Sequence, residues 1–380
     1  MKDLKTYKGI DFLLIDPQSE GSLAIYDYSL FSEVSLNNKG FVCNVKYNAQ
    51  AIPNTIMFPY FDYLGKKSVS KGISYLMSLI KIIILIYNCR PKVVHIQWYR
   101  LENVEFYLYK SLKHFLGFKL VYTAHNVLPH NSGNKKIKVY RKLYSLADAI
   151  IVHSKATVPE LAEIGVDKKK IHVIKHGILQ KRESQKKNPF DFRERYCIGN
   201  KLLFSISGVQ NAYKGTDLLI KAWTTTPLLY ESNNCVLVIM GKNSGVDYSE
   251  TNNVKNIIII DRFFSDEEQE ALFSATDVLL LPYRQISQSG VLLTALPYKI
   301  PLLVSNIGGL SETLDEANIG WRIAPNNVKE LATTLISIVQ NPEVVNSIKN
   351  DLFEWDKILN YYSWNNIGNQ TKLLYLDLIA

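Results

Sequence analysis

The feature that most limits the fold is a series of short, unbroken apolar runs separated by longer stretches of helical spacing, and the series occurs twice. The first set lies at 12–16 (FLLID), 41–46 (FVCNVK), 93–98 (VVHIQW), 119–124 (KLVYTA), 149–153 (AIIVH) and 171–175 (IHVIK). The second lies at 202–207 (LLFSIS), 235–240 (CVLVIM), 256–260 (NIIII), 277–281 (DVLLL) and 301–305 (PLLVS). A strand that is apolar along its whole length is buried on both faces, as in parallel sheets covered by helices. Most intervals leave room for a crossover helix. The chain therefore predicts an α/β fold of two Rossmann-like domains, at 1–178 and 201–359, joined through a polar linker at 179–200. Ligands of open α/β sheets bind beyond the carboxyl ends of the strands, so two such sheets facing each other would place a site in the cleft. No internal repeat or low-complexity segment interrupts this pattern.

Composition narrows the setting. Nearly half of the 380 residues are apolar (47%), which excludes a disordered or fibrous chain. The start, MKDLKTYKGIDFLLID, lacks the pattern of a secretory leader. The longest apolar stretch, 74–88 (SYLMSLIKIIILIYN), is short for a bilayer span and is interrupted by Lys81. A cytoplasmic protein is expected. Cys43, Cys89, Cys197 and Cys235 lack metal-ligand or redox spacing, and structural disulfides are not expected. The net charge of +9 is met equally by general lysine richness or by attraction to an anionic surface. Lysines gather at Lys66, Lys67 and Lys71 and again over 135–142, both in the first half, which favours an anionic membrane or acceptor. No nucleic-acid module accompanies the charge, so nucleic acid is not an expected partner.

Candidate site residues fall where the strand-end rule puts them. His125 ends the run 119–124, HSK follows 149–152, and KHG follows 171–174. After 202–207 come Gly208, a loop, and Lys214-Gly215 ahead of a helical stretch, a layout in which a lysine and free amides meet a phosphate. After 277–281 the segment YRQISQSGV repeats it, with Arg284 for charge and Gly290 for close backbone approach. Each has a plainer account: His125 completing a turn, Lys214 on a solvated helix, SQSG as a connector. Their joint placement at strand ends favours a site.

In order along the chain, VVHIQW, LVYTAHN, ADAIIVHS…KIHVIKHGI, YKGTDLLIKAW and LPYRQISQSGVLLTAL…GGLSE resemble the landmarks of GT-B glycosyltransferases, most of all glycosyltransferase family 4. The resemblance implies sugar transfer from a nucleotide-activated donor with retention at the anomeric carbon. It places the donor on the second domain and the acceptor on the first, with a last helix, about 360–380, returning to the first. It assigns diphosphate to Lys214, donor phosphate to the amides of Ser289, Gly290 and Val291, and the neighbourhood of the transferred sugar to His125. Gly208, Gln288 and Glu312 join the donor set, and Gly21, Ser22, Asn126 and His176 the cleft. It implies UDP- or GDP-sugar as co-substrate, no separate cofactor, and a saccharide or lipid-linked saccharide acceptor. The chain lacks an Asp-x-Asp triplet, so a metal-independent reaction is expected.

Departures from the family pattern fall inside the donor loops. Two glutamates eight positions apart are replaced by Ile286 and Thr294, with Gln285 or Gln288 as candidate substitutes. An arginine before the lysine is replaced within Val209, Gln210 and Asn211, and Arg284 could restore that charge. These losses keep open a second reading, a non-catalytic GT-B subunit that binds nucleotide sugar or supports a partner enzyme.

Overall fold

The computed structural model describes residues 9–63, 68–128, 133–179, 190–286 and 288–380. Lys66, Lys67, residues 180–189 of the interlude and Ser287 of the SQSG loop lie outside them. The chain divides into two compact units, Met1–Gly177 with Tyr362–Ala380, and Ile178–Tyr361.

The first unit runs β1 (Phe12–Ile15), α1 (Ser22–Glu33), β2 (Lys39–Asn44), β3 (Thr55–Phe61), α2 (Ser68–Cys89), β4 (Val93–Ile96), α3 (Glu102–Leu116), β5 (Lys119–Thr123), α4 (Ile137–Leu146), β6 (Ala149–Val152), α5 (Thr157–Glu163) and β7 (Ile171–Val173). Its strands form one sheet in the order β3-β2-β1-β4-β5-β6-β7. Every pairing is parallel. One sheet face packs on apolar residues of α2 to α5, and the other on α1 and a returning C-terminal helix.

The second unit contains α6 (Phe192–Arg195), β8 (Leu202–Ser207), α7 (Thr216–Thr224), α8 (Pro227–Tyr230), β9 (Cys235–Met240), β10 (Ile257–Ile260), α9 (Asp266–Ala275), β11 (Val278–Leu281), α10 (Gly290–Ala295), β12 (Leu302–Ser305), α11 (Gly308–Glu316), β13 (Gly320–Ile323), α12 (Val328–Gln340), α13 (Glu343–Asn350) and α14 (Leu352–Tyr361). Its strand order is β10-β9-β8-β11-β12-β13, again all parallel. The described end of the interlude belongs to this unit: Phe192 is buried, and Arg193 donates to Ala275 O and pairs with Asp277 at 2.7 Å.

The last helix, α15 (Trp364–Ile379), rejoins the first unit. Tyr375 stacks on Phe12 with centroids 5.8 Å apart, and Gly368 lies so close to α1 that a Cβ there would come within 2.6 Å of the Glu33 carbonyl carbon.

Two strands lie outside the predicted runs. β3 and β13 are sheet edges, partly open to solvent, so neither needs an unbroken apolar run; β3 also accommodates Pro59, as an edge strand can. The 74–88 run corrects the expectation drawn from its length. Its helix, α2, has 22 residues and is long and apolar enough to cross a membrane by length and composition. What ties it to the first unit is its inner face, where Tyr75, Leu79, Ile82, Leu85 and Ile86 join the core.

Candidate active site

In the second unit the site begins where β8 ends. Gly208 has φ +93° and donates its N–H to Met240 O, which turns the chain sharply off the sheet. A 3-10 turn over Ala212–Lys214 and Gly215, at φ +68°, lead into α7. Gly215 is fixed by crowding as well, because a Cβ would sit 2.0 Å from Pro282 O.

These turns fold Lys214 back under Gly208. The side chain is only 4% exposed, and Nζ donates to Ser207 O at 2.5 Å and lies 5.7 Å from the Tyr283 ring centroid. A Cβ on Gly208 would meet that Nζ at 2.4 Å and Val291 Cγ2 at 3.6 Å, so Gly208, Lys214 and Val291 share one spot. Burial alone lowers the ammonium pKa to about 8; no carboxylate holds it up. An ammonium has three donors, and among the described residues this one has a single acceptor. Around the same strand ends, Ser207 Oγ, Asn211 Oδ1, Gln288 Oε1 and Ser305 Oγ are buried without a hydrogen-bond partner among the described residues.

Arg284 is placed differently. Its guanidinium grips both oxygens of Asp217 at 2.6 and 2.7 Å, donates to Ala212 O, and reaches Asn326 Oδ1 through Nε at 2.9 Å. It staples the 212–217 turn to the end of β11, and its charge is already matched. Ser289 caps α10, its Oγ accepting from Leu292 N. Gly290 opens that helix and has room: among the described residues an added Cβ would touch only Leu179 Cδ1, at 3.7 Å. Thr294 Oγ1 turns back onto Gly290 O, and Glu312 is buried on α11.

In the first unit the carboxyl ends of β4 to β7 present Gln97, His125, His153 and His176 in a row. His125 stacks on Trp98, centroids 4.7 Å apart and planes 7° apart. Tyr26 of α1 touches His125, His153, His176 and Trp364. The tautomers follow from one fixed acceptor. Ile174 O lies 2.8 Å from His153 Nδ1, so that nitrogen carries the proton and His153 Nε2 offers a lone pair. His125 then donates to it through Nδ1, 3.3 Å away. His125 Nε2 lies 2.9 Å from the Gln97 side-chain amide, placed with Oε1 toward the ring; with the proton on Nδ1 this nitrogen accepts, which assigns the amide the reverse orientation, NH₂ toward the ring. His125, expected to act on the transferred sugar, thus has both ring nitrogens engaged by protein. Burial keeps these imidazoles neutral: His153 falls to about 3, His176 to about 4, and His125 well below its ordinary value.

Beneath the loop after β1, Asp16 and Asp27 are buried against one another. Burial raises both, Asp16 to about 6 and Asp27 well above the ordinary carboxylate value, with the Asp16 charge adding to the rise at Asp27. Gly21, at φ +61°, caps α1 and donates to Asn48 Oδ1 at 3.0 Å, and Ser22 beside it is exposed. Asn126 lies in the turn after β5, its carbonyl near the Tyr144 hydroxyl.

The sequence reading marked His153 only within HSK, and Gln97 and Trp98 only within VVHIQW, and gave none of them a role; it did not single out Tyr26. Those three stand directly at strand ends, where position alone could have suggested one. Tyr26 and Asp27 sit on α1 among other polar and aromatic residues and carry no such signal.

The sequence model described as Glycosyltransferase Family 4 matches residues 41–181, and the one described as Glycosyl transferases group 1 matches residues 200–341. The chain carries these two glycosyltransferase domains, in the order found in the GT-B fold. The chain is 27% identical over 258 residues to an uncharacterized glycosyltransferase, MJ1607, of Methanocaldococcus jannaschii, covering 62% of this chain and 61% of that one. It is 22% identical over 158 residues to the alpha-D-kanosaminyltransferase of Streptomyces kanamyceticus, 40% of each chain. The chain therefore spans less than two thirds of either curated relative. Its fold matches that of Anabaena Alr3699/HepE, solved in complex with UDP, with a TM-score of 0.66 at 13% identity, covering 96% of this chain and 99% of that one.

Proposed function

We propose that this glycosyltransferase moves a sugar, with retention, from a nucleotide-sugar donor to a saccharide or lipid-linked saccharide during assembly of a surface polysaccharide or glycolipid at the cytoplasmic side of the membrane. The observation that carries the donor half is Lys214, a buried ammonium at the end of β8 that, among the described residues, has two unused donors and no carboxylate beside it. An uncompensated buried cation is costly, and a diphosphate is the ligand that would balance it. The amides of Ser289, Gly290 and Val291, with Gly208 and Gln288, complete the phosphate and sugar contacts. Arg284 supports them by bracing the turn that aims Lys214. As the diphosphate departs, negative charge grows where Lys214 and these amides lie, so no metal is required for that stabilisation. His125 serves as a positioning group on its Trp98 stack. The UDP in the HepE structure and the kanosaminyl transfer named for the Streptomyces kanamyceticus relative support the substrate class.

Calorimetric titration with UDP, UDP-sugars and GDP-sugars tests the proposal. Binding of one of them in the parent protein and its loss in Lys214→Met is the expected result; undiminished binding in the variant overturns it. A second reading, a donor-binding subunit without turnover, is favoured by Ile286 and Thr294 standing where family members carry glutamates. Release of free nucleotide in the presence of acceptor extracts separates the two.

A further inference from the structure

We infer that the outer face of α2, with the neighbouring surface of α3 and α4, is a docking surface for an anionic lipid bilayer, into which α2 sinks its apolar stripe while lying flat. The outer face carries Val69, Ile73, Leu76, Met77, Ile80 and Ile84, closed by Tyr87, all exposed; Val69 is 78% and Tyr87 60% exposed. At 3.6 residues per turn these positions fall within an arc of about 100°. The buried residues of the same helix lie on the opposite arc. The helix therefore has two apolar faces, and the core of the first unit covers one. At 1.5 Å per residue the stripe is about 30 Å long, far larger than a scattered exposed side chain requires. On adjacent α3, Val104, Tyr107 and Phe115 extend it, Phe115 being 80% exposed.

Charge selects the occupant. Neither α2 nor α4 contains an acidic residue. Lys71 and Lys81 lie over the rings of Tyr63 and Tyr60, and Arg90 over Tyr87. Lys135, Lys138 and Lys142 are exposed at α4, beyond α3. Among the described residues none of these six takes part in an ion pair. A long apolar stripe with Tyr at its end and unpaired cations beside it is the pattern of an interfacial helix on anionic lipid. A second copy of the chain would bring these cations against their own kind.

The test is flotation of the full chain with vesicles of phosphatidylcholine, with and without phosphatidylglycerol, beside sedimentation velocity without lipid. Expected are binding to anionic vesicles that weakens with salt, a monomer in solution, and at least a tenfold loss of vesicle binding in the pair Ile80→Gln and Ile84→Gln. These exposed positions leave the core intact, which circular dichroism checks. Nucleotide titration of the same variants reads the donor site separately, so failure here does not bear on Lys214. Absence of vesicle binding, equal binding by the variants, or a lipid-free dimer that the variants convert to monomer each overturns the inference.

Discussion

Lys214 and Arg284 are both cations at strand ends, and the sequence alone weighs them equally. Their surroundings separate them: one is buried without a counter-charge, the other is paired with Asp217. Lys214→Ala should weaken donor binding by about 1.5–3 kcal/mol, the worth of a charge-assisted contact. Since burial lowers this ammonium to about 8, donor affinity should also fall as pH rises through that value, and titrations at pH 7 and 9 would show it. A pH-independent affinity would mean that Lys214 stays outside the phosphate contacts. Arg284→Ala should act more weakly, through loosening of the 212–217 turn. The site was legible to the extent that strand ends were legible, which brought in Lys214 and His125. It was not legible where function depends on pairing, because nothing in YRQIS reveals that Asp217 neutralises Arg284. Gly290→Val, chosen from sequence to block close approach, meets no more than ordinary contact with Leu179 among the described residues, so any loss of donor affinity in that variant would report on the ligand itself.

Elements carry the pH response. His95 and His153 fall to about 3 and His176 to about 4, with His125 lowered as well, all through burial. Below the ordinary imidazole value near 6.5 the unfolded chain binds protons that the folded unit refuses, so stability is lost as pH falls from about 6.5 toward 4. Asp16 and Asp27 act in the opposite sense. Their raised values let the folded unit hold extra protons above about 4, Asp16 up to about 6 and Asp27 with a strongly raised carboxyl, so their contribution improves over the same fall in pH. Glu105, raised to about 7 by burial, acts with the two aspartates; the four imidazoles still outweigh these three carboxyls, and the melting temperature should drop on acidification from pH 7 to 5. Asp27→Asn keeps the shape, can donate to Asp16 and removes the cost of a proton held against solution. It should raise the melting temperature at pH 8, and no rise would mean that Asp27 is not held protonated. On the other side of α1, Gly368→Leu would drive a side chain into the Glu33 backbone, with overpacking of about 1–3 kcal/mol. A lower urea midpoint checks this, and an unchanged one would show that α15 can slide on α1.

At the scale of the molecule, two parallel sheets were readable because β1, β4 to β6, β8, β9, β11 and β12 are buried on both faces, and such burial leaves an unbroken apolar run. The edge strands β3 and β13 escaped because one side of each needs no cover. The double apolar character of α2 was visible as a run but not as two faces, since periodicity cannot say which face meets a core. Metal independence is a property of the whole reaction: turnover measured with and without a chelator should be equal, and a loss that added magnesium restores would refute it. The return of α15 has a further consequence for how the chain is made. The polypeptide leaves the first unit at Gly177 and re-enters it at Tyr362. On the ribosome, every residue of the second unit is polymerised before α15 exists. Until Tyr375 emerges, Phe12 lacks its stacking partner and His95 its hydroxyl neighbour. The unit begun first is thus completed last, and a nascent chain arrested after residue 361 would carry a whole second unit beside a first one with an open apolar face, the form that chaperones should find.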